Sequence, residues 1–136
     1  VQIDPTLDEL SDIITAVSEA VTNSIIHGYG KSRKPREQCL IEMECLLYRD
    51  AIEVVITDQG CGIEDIKKAR EPLYTSSPEM ERSGMGFTIM ESFTDHFSVE
   101  SEVGKGTVIK LYKIFQSVGA VGDGGDNLCE NMTTQP

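Results

Sequence analysis

Glu19 and Asn23 stand one helical turn apart in SEAVTNSIIHG, DQGCG begins at Asp58, and GMG begins at Gly84. A glutamate can serve as a general base. An asparagine carbonyl oxygen suits Mg²⁺, which keeps most of its waters and bridges phosphate oxygens. An aspartate following an apolar run can accept the exocyclic amine of adenine, and Gly60 and Gly62 beside it let the backbone approach a flat base. Gly84, Met85 and Gly86 open a helical segment whose unpaired amides can face phosphate. Arg82, just before them, can stabilise charge on a terminal phosphate when the loop closes. Taken singly, each feature has an ordinary explanation: a polar stripe is usually a solvated face, Asp and Gly after a strand often only make a turn, and a lone GxG is weak. Together they describe a nucleotide site in which Glu19 acts on a water or hydroxyl attacking the terminal phosphate.

These residues need elements to hold them. Asp4 followed by Pro5 marks a helix start, and the helix is expected over residues 5–27. At about 100° per residue, Leu7, Leu10, Ile14, Val17, Val21 and Ile25 cluster on one side, expected to bury against a sheet. Glu19, Asn23 and His27 form the stripe expected to look into a cavity. Gly28 and Gly30 end the helix, and KSRKPRE from Lys31 is a loop. Residues 38–48 alternate Ile41, Met43, Cys45 and Leu47 against Glu42 and Glu44. Residues 52–57 are β-branched, and a short link makes the two runs a hairpin. Residues 63–70 read as a short helix, 72–83 as a loop and 86–93 as a helix, with a second hairpin from 97–103 and 107–115. The order predicts an α+β sandwich, a mostly antiparallel sheet with helices on one face. Residues 1–115 form that domain, and the Gly-rich, apolar-poor stretch 116–136 reads as a disordered tail.

A chain of 136 residues is one domain by length, with enough chain to bury a single core. Its net charge of -11, from 23 acidic and 12 basic residues, has the wrong sign for neutralising nucleic-acid phosphates. Direct nucleic-acid binding is therefore not expected. An acidic surface also repels free ATP, so the site needs backbone amides or a bound cation to offset the field. The four cysteines, Cys39, Cys45, Cys61 and Cys129, lack CxxC pairing and zinc-site spacing. They read as reduced thiols, with Cys39 and Cys45 in the core and Cys61 exposed. No run has membrane-spanning length and no signal peptide precedes the first helix, so a cytoplasmic protein with no membrane association is expected.

EAVTNSIIHGYG from Glu19, DQGCGI from Asp58, PLYTSSPEMERSGMGFTIMESF from Pro72 and VGKGT from Val103 resemble the anti-sigma factor serine kinases, in particular the sporulation anti-sigma F type. These belong to the GHKL ATPase superfamily, with the gyrase, heat-shock chaperone and histidine-kinase ATP domains. The resemblance runs from about Ile3 to Tyr112. It implies a Bergerat-type ATP-binding fold that uses ATP/ADP and Mg²⁺. Glu19 is then the catalytic base, Asn23 the Mg²⁺ ligand and Asp58 the adenine contact, with Gly62 and Thr107 near the base. Gly84 and Gly86 line the phosphates, and residues 64–83 form a lid. It further implies a protein that holds a sporulation sigma factor inactive when ATP-bound, phosphorylates an anti-anti-sigma protein of the STAS type on serine, and forms a homodimer. The family begins with a strand and helix that this sequence lacks, so a trimmed chain is the expectation. Ser77 stands where related sequences often carry Lys, which places more of the phosphate neutralisation on Arg82.

Two alternatives remain open at this level. One is an ATP-gated binding switch that transfers no phosphate; the other is the ATP domain of a histidine kinase, which wants an upstream helical dimer with a phosphoacceptor histidine. His27, at a helix end, reads as a cap or packing group rather than a phosphate acceptor.

Overall fold

The computed structural model describes residues 5–71 and 86–116. The loop expected at 72–83, with Ser77 and Arg82, lies outside the described residues. So do Gly84, Met85, Cys129 and most of the tail.

The first helix, α1, spans Leu7–Asn23 and starts at Thr6 rather than at Asp4–Pro5. The Thr6 hydroxyl accepts from the Glu9 backbone N–H at 3.1 Å while Glu9 Oε1 accepts from the Thr6 N–H at 2.9 Å. This reciprocal capping box satisfies two backbone donors that the helix start would leave orphaned. The helix runs on into a wide π-type turn, Ser24–Gly28, before ending at Tyr29. Strand β1 (Ile41–Leu47) and strand β2 (Ala51–Asp58) form the first hairpin. A one-turn helix α2 (Ile66–Ala69) is capped by Asp65, and α3 spans Gly86–Ser92. Strands β3 (His96–Glu102) and β4 (Gly106–Ile114) form the second hairpin. The sheet order is β1-β2-β4-β3, every pair antiparallel, which is the expected α+β arrangement.

The core forms where α1 and α3 meet one face of the sheet. Ile13, Ala16 and Ala20 of α1 pack with Val54 and Ile56 of β2, Ile109 and Leu111 of β4, and Met90 of α3. Ala16 and Ala20 are fully buried; their small side chains let α1 approach α3 closely. The expected apolar stripe of α1 therefore does not face the sheet. Leu7, Leu10, Ile14 and Ile25 are exposed, Leu7 at 84 % and Ile14 at 61 %, while Val17 and Val21 are half-buried. The expected stripe put the helix about a quarter-turn out of phase, because the buried direction is marked by Ile13 with two alanines and a serine.

The same geometry corrects the cysteines. Cys45 is exposed and Cys39 only half-buried, while Cys61 is exposed as expected. Cys45 and Met43 share a face with the core residues Val54 and Ile56. However, α1 packs on β2 and β4 and α3 on β3, so the helix side of the edge strand β1 stays open. Among the described residues no helix is long and apolar enough to cross a membrane.

Candidate functional site

Asp58 ends β2, buried to 4 % exposure, and its carboxylate is held from two sides. The Ser24 hydroxyl donates to Oδ2 at 2.9 Å, and the Gly60 backbone N–H donates to Oδ1 at 2.9 Å. Ser24 can reach because it continues the buried face of Ala16 and Ala20 over the end of β2, at the point where the π-type turn begins. Wide turns of this kind recur at functional sites.

The loop after Asp58 is shaped by backbone contacts that exclude side chains. A Cβ on Gly60 would overlap the Gly28 carbonyl, whose oxygen accepts from the Cys61 N–H at 2.9 Å. Gly62 has φ 79°, the left-handed region that glycine takes without strain, and a Cβ there would overlap the Glu102 carbonyl. The Tyr29 hydroxyl donates to Leu40 O at 2.6 Å and accepts from the Gln59 N–H at 2.8 Å, and Lys34 Nζ donates to Gln59 O at 2.7 Å. The loop is thus fastened to the segment that follows α1.

Asp58 opens onto a cavity of about 340 Å³, within the range of small-ligand sites. Asn23, Asp58, Gly62, Gly86 and Thr107 all line it, so residues predicted from separate parts of the sequence converge. Asn23 is beside the start of α3: a Cβ on Gly86 would fall 3.1 Å from Asn23 Nδ2. Gly60 supports the Asp58 carboxylate and is not part of the wall. Glu19 is half-buried one turn before Asn23 and is not among the lining residues. His27, within the π-type turn, lines the cavity. Arg82, Gly84 and Met85 lie outside the described residues.

Ser24, Gly28 and Lys31 also line the cavity, none of them a site residue by the sequence alone. Gly28 was read only as a helix end, yet it lets the turn close on Asp58. Ser24, one residue after Asn23, carries no motif of its own; a polar residue in phase with Ala16 and Ala20 was the available signal.

The wall carries Asp58, Glu64, Asp65 and Glu71 against Lys31. An anionic ligand therefore needs a cation or backbone amides beside it. Among the described residues no cluster of three or more His, Cys, Asp or Glu could cage a metal. Asn23, in the wall, carries a side-chain carbonyl oxygen, a donor type that suits Mg²⁺.

Residues 2–113 match the family described as histidine kinase-like ATPase domain. The chain is 58 % identical over 112 residues to an anti-sigma F factor of Oceanobacillus iheyensis, covering 82 % of this chain and 74 % of the relative. It is 51 % identical over 117 residues to an anti-sigma F factor of Clostridium novyi, covering 86 % and 79 %. Among solved structures, the histidine kinase domain of a blue-light activated histidine kinase from Erythrobacter litoralis superposes with a TM-score of 0.59 at 15 % identity, covering 90 % of this chain and 54 % of that one. That likeness concerns the fold.

Proposed function

Because this chain belongs to the histidine kinase-like ATPase family and, within it, to the anti-sigma F factors, we propose that it is an ATP-dependent protein serine kinase. We further propose that it sequesters a sporulation sigma factor and phosphorylates a STAS-type anti-anti-sigma protein in the cytoplasm, working as a homodimer. The observation that carries the reading is the convergence of Asn23, Asp58, Gly62, Gly86 and Thr107 on one cavity.

Each residue then has a task. Asp58 accepts the exocyclic amine of adenine, with Thr107 and Gly62 close to the base and Gly60 supporting the carboxylate. Asn23 offers its carbonyl oxygen to Mg²⁺, and Gly84, Met85 and Gly86 line the phosphates. Bound Mg²⁺ supplies charge neutralisation across the phosphate oxygens. Glu19 takes the proton from the attacking serine hydroxyl as its oxygen bonds to the terminal phosphorus and ADP departs. Arg82 steadies the charge on the transferred group.

A second reading is an ATP-gated binding switch without phosphate transfer, in which Glu19 has no task as a base. The two separate on the fate of labelled terminal phosphate, followed with Mg²⁺, this protein and a candidate anti-anti-sigma protein. Label on an acceptor serine supports the kinase; label left on ATP or released only as free phosphate supports the switch.

A further inference from the structure

The Gln59–Gly60 peptide unit lies between a cation and a carboxylate. Its carbonyl oxygen accepts from Lys34 Nζ at 2.7 Å, and its N–H, that of Gly60, donates to Asp58 Oδ1 at 2.9 Å. A trans peptide is a rigid plane whose C=O and N–H point in opposite directions, so holding one end aims the other. This unit needs holding. Glycine adopts backbone angles closed to other residues, and a peptide that precedes one can turn over at little cost. Turned over, it would set the Gln59 carbonyl oxygen against the Asp58 carboxylate, acceptor facing acceptor, with the Gly60 donor withdrawn.

Lys34 is itself held where it can act. The Ser32 hydroxyl accepts from the Lys34 backbone N–H at 3.0 Å, and Pro35 after it restricts the Lys34 backbone to extended conformations. The same segment grips the loop a second time through Tyr29, whose hydroxyl accepts from the Gln59 N–H at 2.8 Å. Both peptide units that flank Gln59 are thus fixed, the first at its N–H and the second at its C=O. The two grips differ in kind. The phenol makes a neutral bond, whereas the ammonium makes a charge-assisted one, about twice as strong, and polarises the amide so that its N–H holds Asp58 more firmly. We infer that Lys34, which does not itself line the cavity, is a positioning residue for the base contact: it locks the peptide whose N–H orients the Asp58 carboxylate. The inference rests on reading this cavity as the nucleotide site with Asp58 at the base amine.

The test compares ATP with purine riboside triphosphate, which keeps the ring nitrogens and the phosphates and lacks only the 6-amine, by calorimetry on the full chain with Mg²⁺. The wild type should bind ATP more tightly. Lys34→Met keeps the aliphatic stem and loses the ammonium, so the ratio of purine riboside triphosphate Kd to ATP Kd should fall about three- to tenfold, through weaker ATP binding alone. Lys34→Arg keeps a charged donor and should keep the ratio. Lys34 is exposed, so both variants should fold. The two ligands carry the same phosphates, and a general loss of positive charge or of stability would weaken them together. Equal weakening in Lys34→Met, or no change for either ligand, would overturn the inference and leave Lys34 a surface residue. A wild type with equal affinity for both would remove the Asp58 contact, and the inference with it, while leaving the nucleotide site intact. Only a wild type that binds neither ligand would also overturn the nucleotide-site reading.

Discussion

The backbone of Gly60 lies directly against that of Gly28, so that a methyl group on Gly60 would overlap the Gly28 carbonyl oxygen. The contact joins the end of the first helix to the loop that carries Asp58. Neither side is a flexible side-chain tip that can move aside. Gly60→Ala should therefore destabilise the fold by about 1–3 kcal/mol, as overpacking does. Urea unfolding followed by circular dichroism will show a lower midpoint, and nucleotide affinity should drop with it.

Asp58→Asn replaces a carboxylate oxygen with an amide donor. With the amide oxygen kept on the Gly60 N–H, the NH₂ falls at the Ser24 hydroxyl, which can turn to accept, and stands where the base amine needs an acceptor. ATP binding should weaken by roughly tenfold or more, measured by calorimetry, with a smaller change for GTP. Equal losses for the two nucleotides would remove Asp58 as the adenine contact.

Asn23→Ala deletes the one carbonyl oxygen assigned to Mg²⁺. ATP affinity should fall in the presence of Mg²⁺ and stay unchanged in chelator. A loss of the same size in chelator argues against the ligand role and for simple packing next to Gly86.

Glu19→Ala should leave Mg·ATP binding intact and slow phosphate transfer by roughly 10²–10⁴-fold, the usual contribution of a general base. The comparison is single-turnover transfer against nucleotide binding in the same preparation. Undiminished transfer would disqualify Glu19 as the base.

Ile13 and Ile14 are adjacent in sequence and opposite in environment, 7 % and 61 % exposed. Ile13→Ala should cost about 2–4 kcal/mol through lost packing. Ile14→Ala should stay within about 0.5 kcal/mol, as exposed positions do. Denaturant midpoints for the pair test the phase of the helix directly.

Much of this arrangement was legible in the sequence. The two hairpins announced themselves through alternation and short glycine or polar links, and the DQGCG loop was placed correctly at the end of β2. The phase of α1 was not legible, because hydrophobic size was a poor guide where close helix packing selects alanine. Leu7 and Ile14 outweighed Ala16 and Ala20 on a wheel, yet only the alanines are buried. Within the site, Asp58 and Asn23 carried motifs, whereas Ser24 acts through a partner 34 residues away. Such pairings come from sheet register and helix-end geometry, which local sequence does not encode.

Each hairpin closes a short stretch of chain, and the two become one sheet through the β2–β4 ladder. Asp58 and Thr107 face each other across that seam. The hairpins pair residues near one another in sequence, whereas the seam brings together residues far apart in the chain, at a higher loop-closure cost. The cavity wall is complete only where that seam is closed. A partly folded chain with both hairpins formed still has no nucleotide site, and ligand binding selects molecules in which the whole sheet has closed.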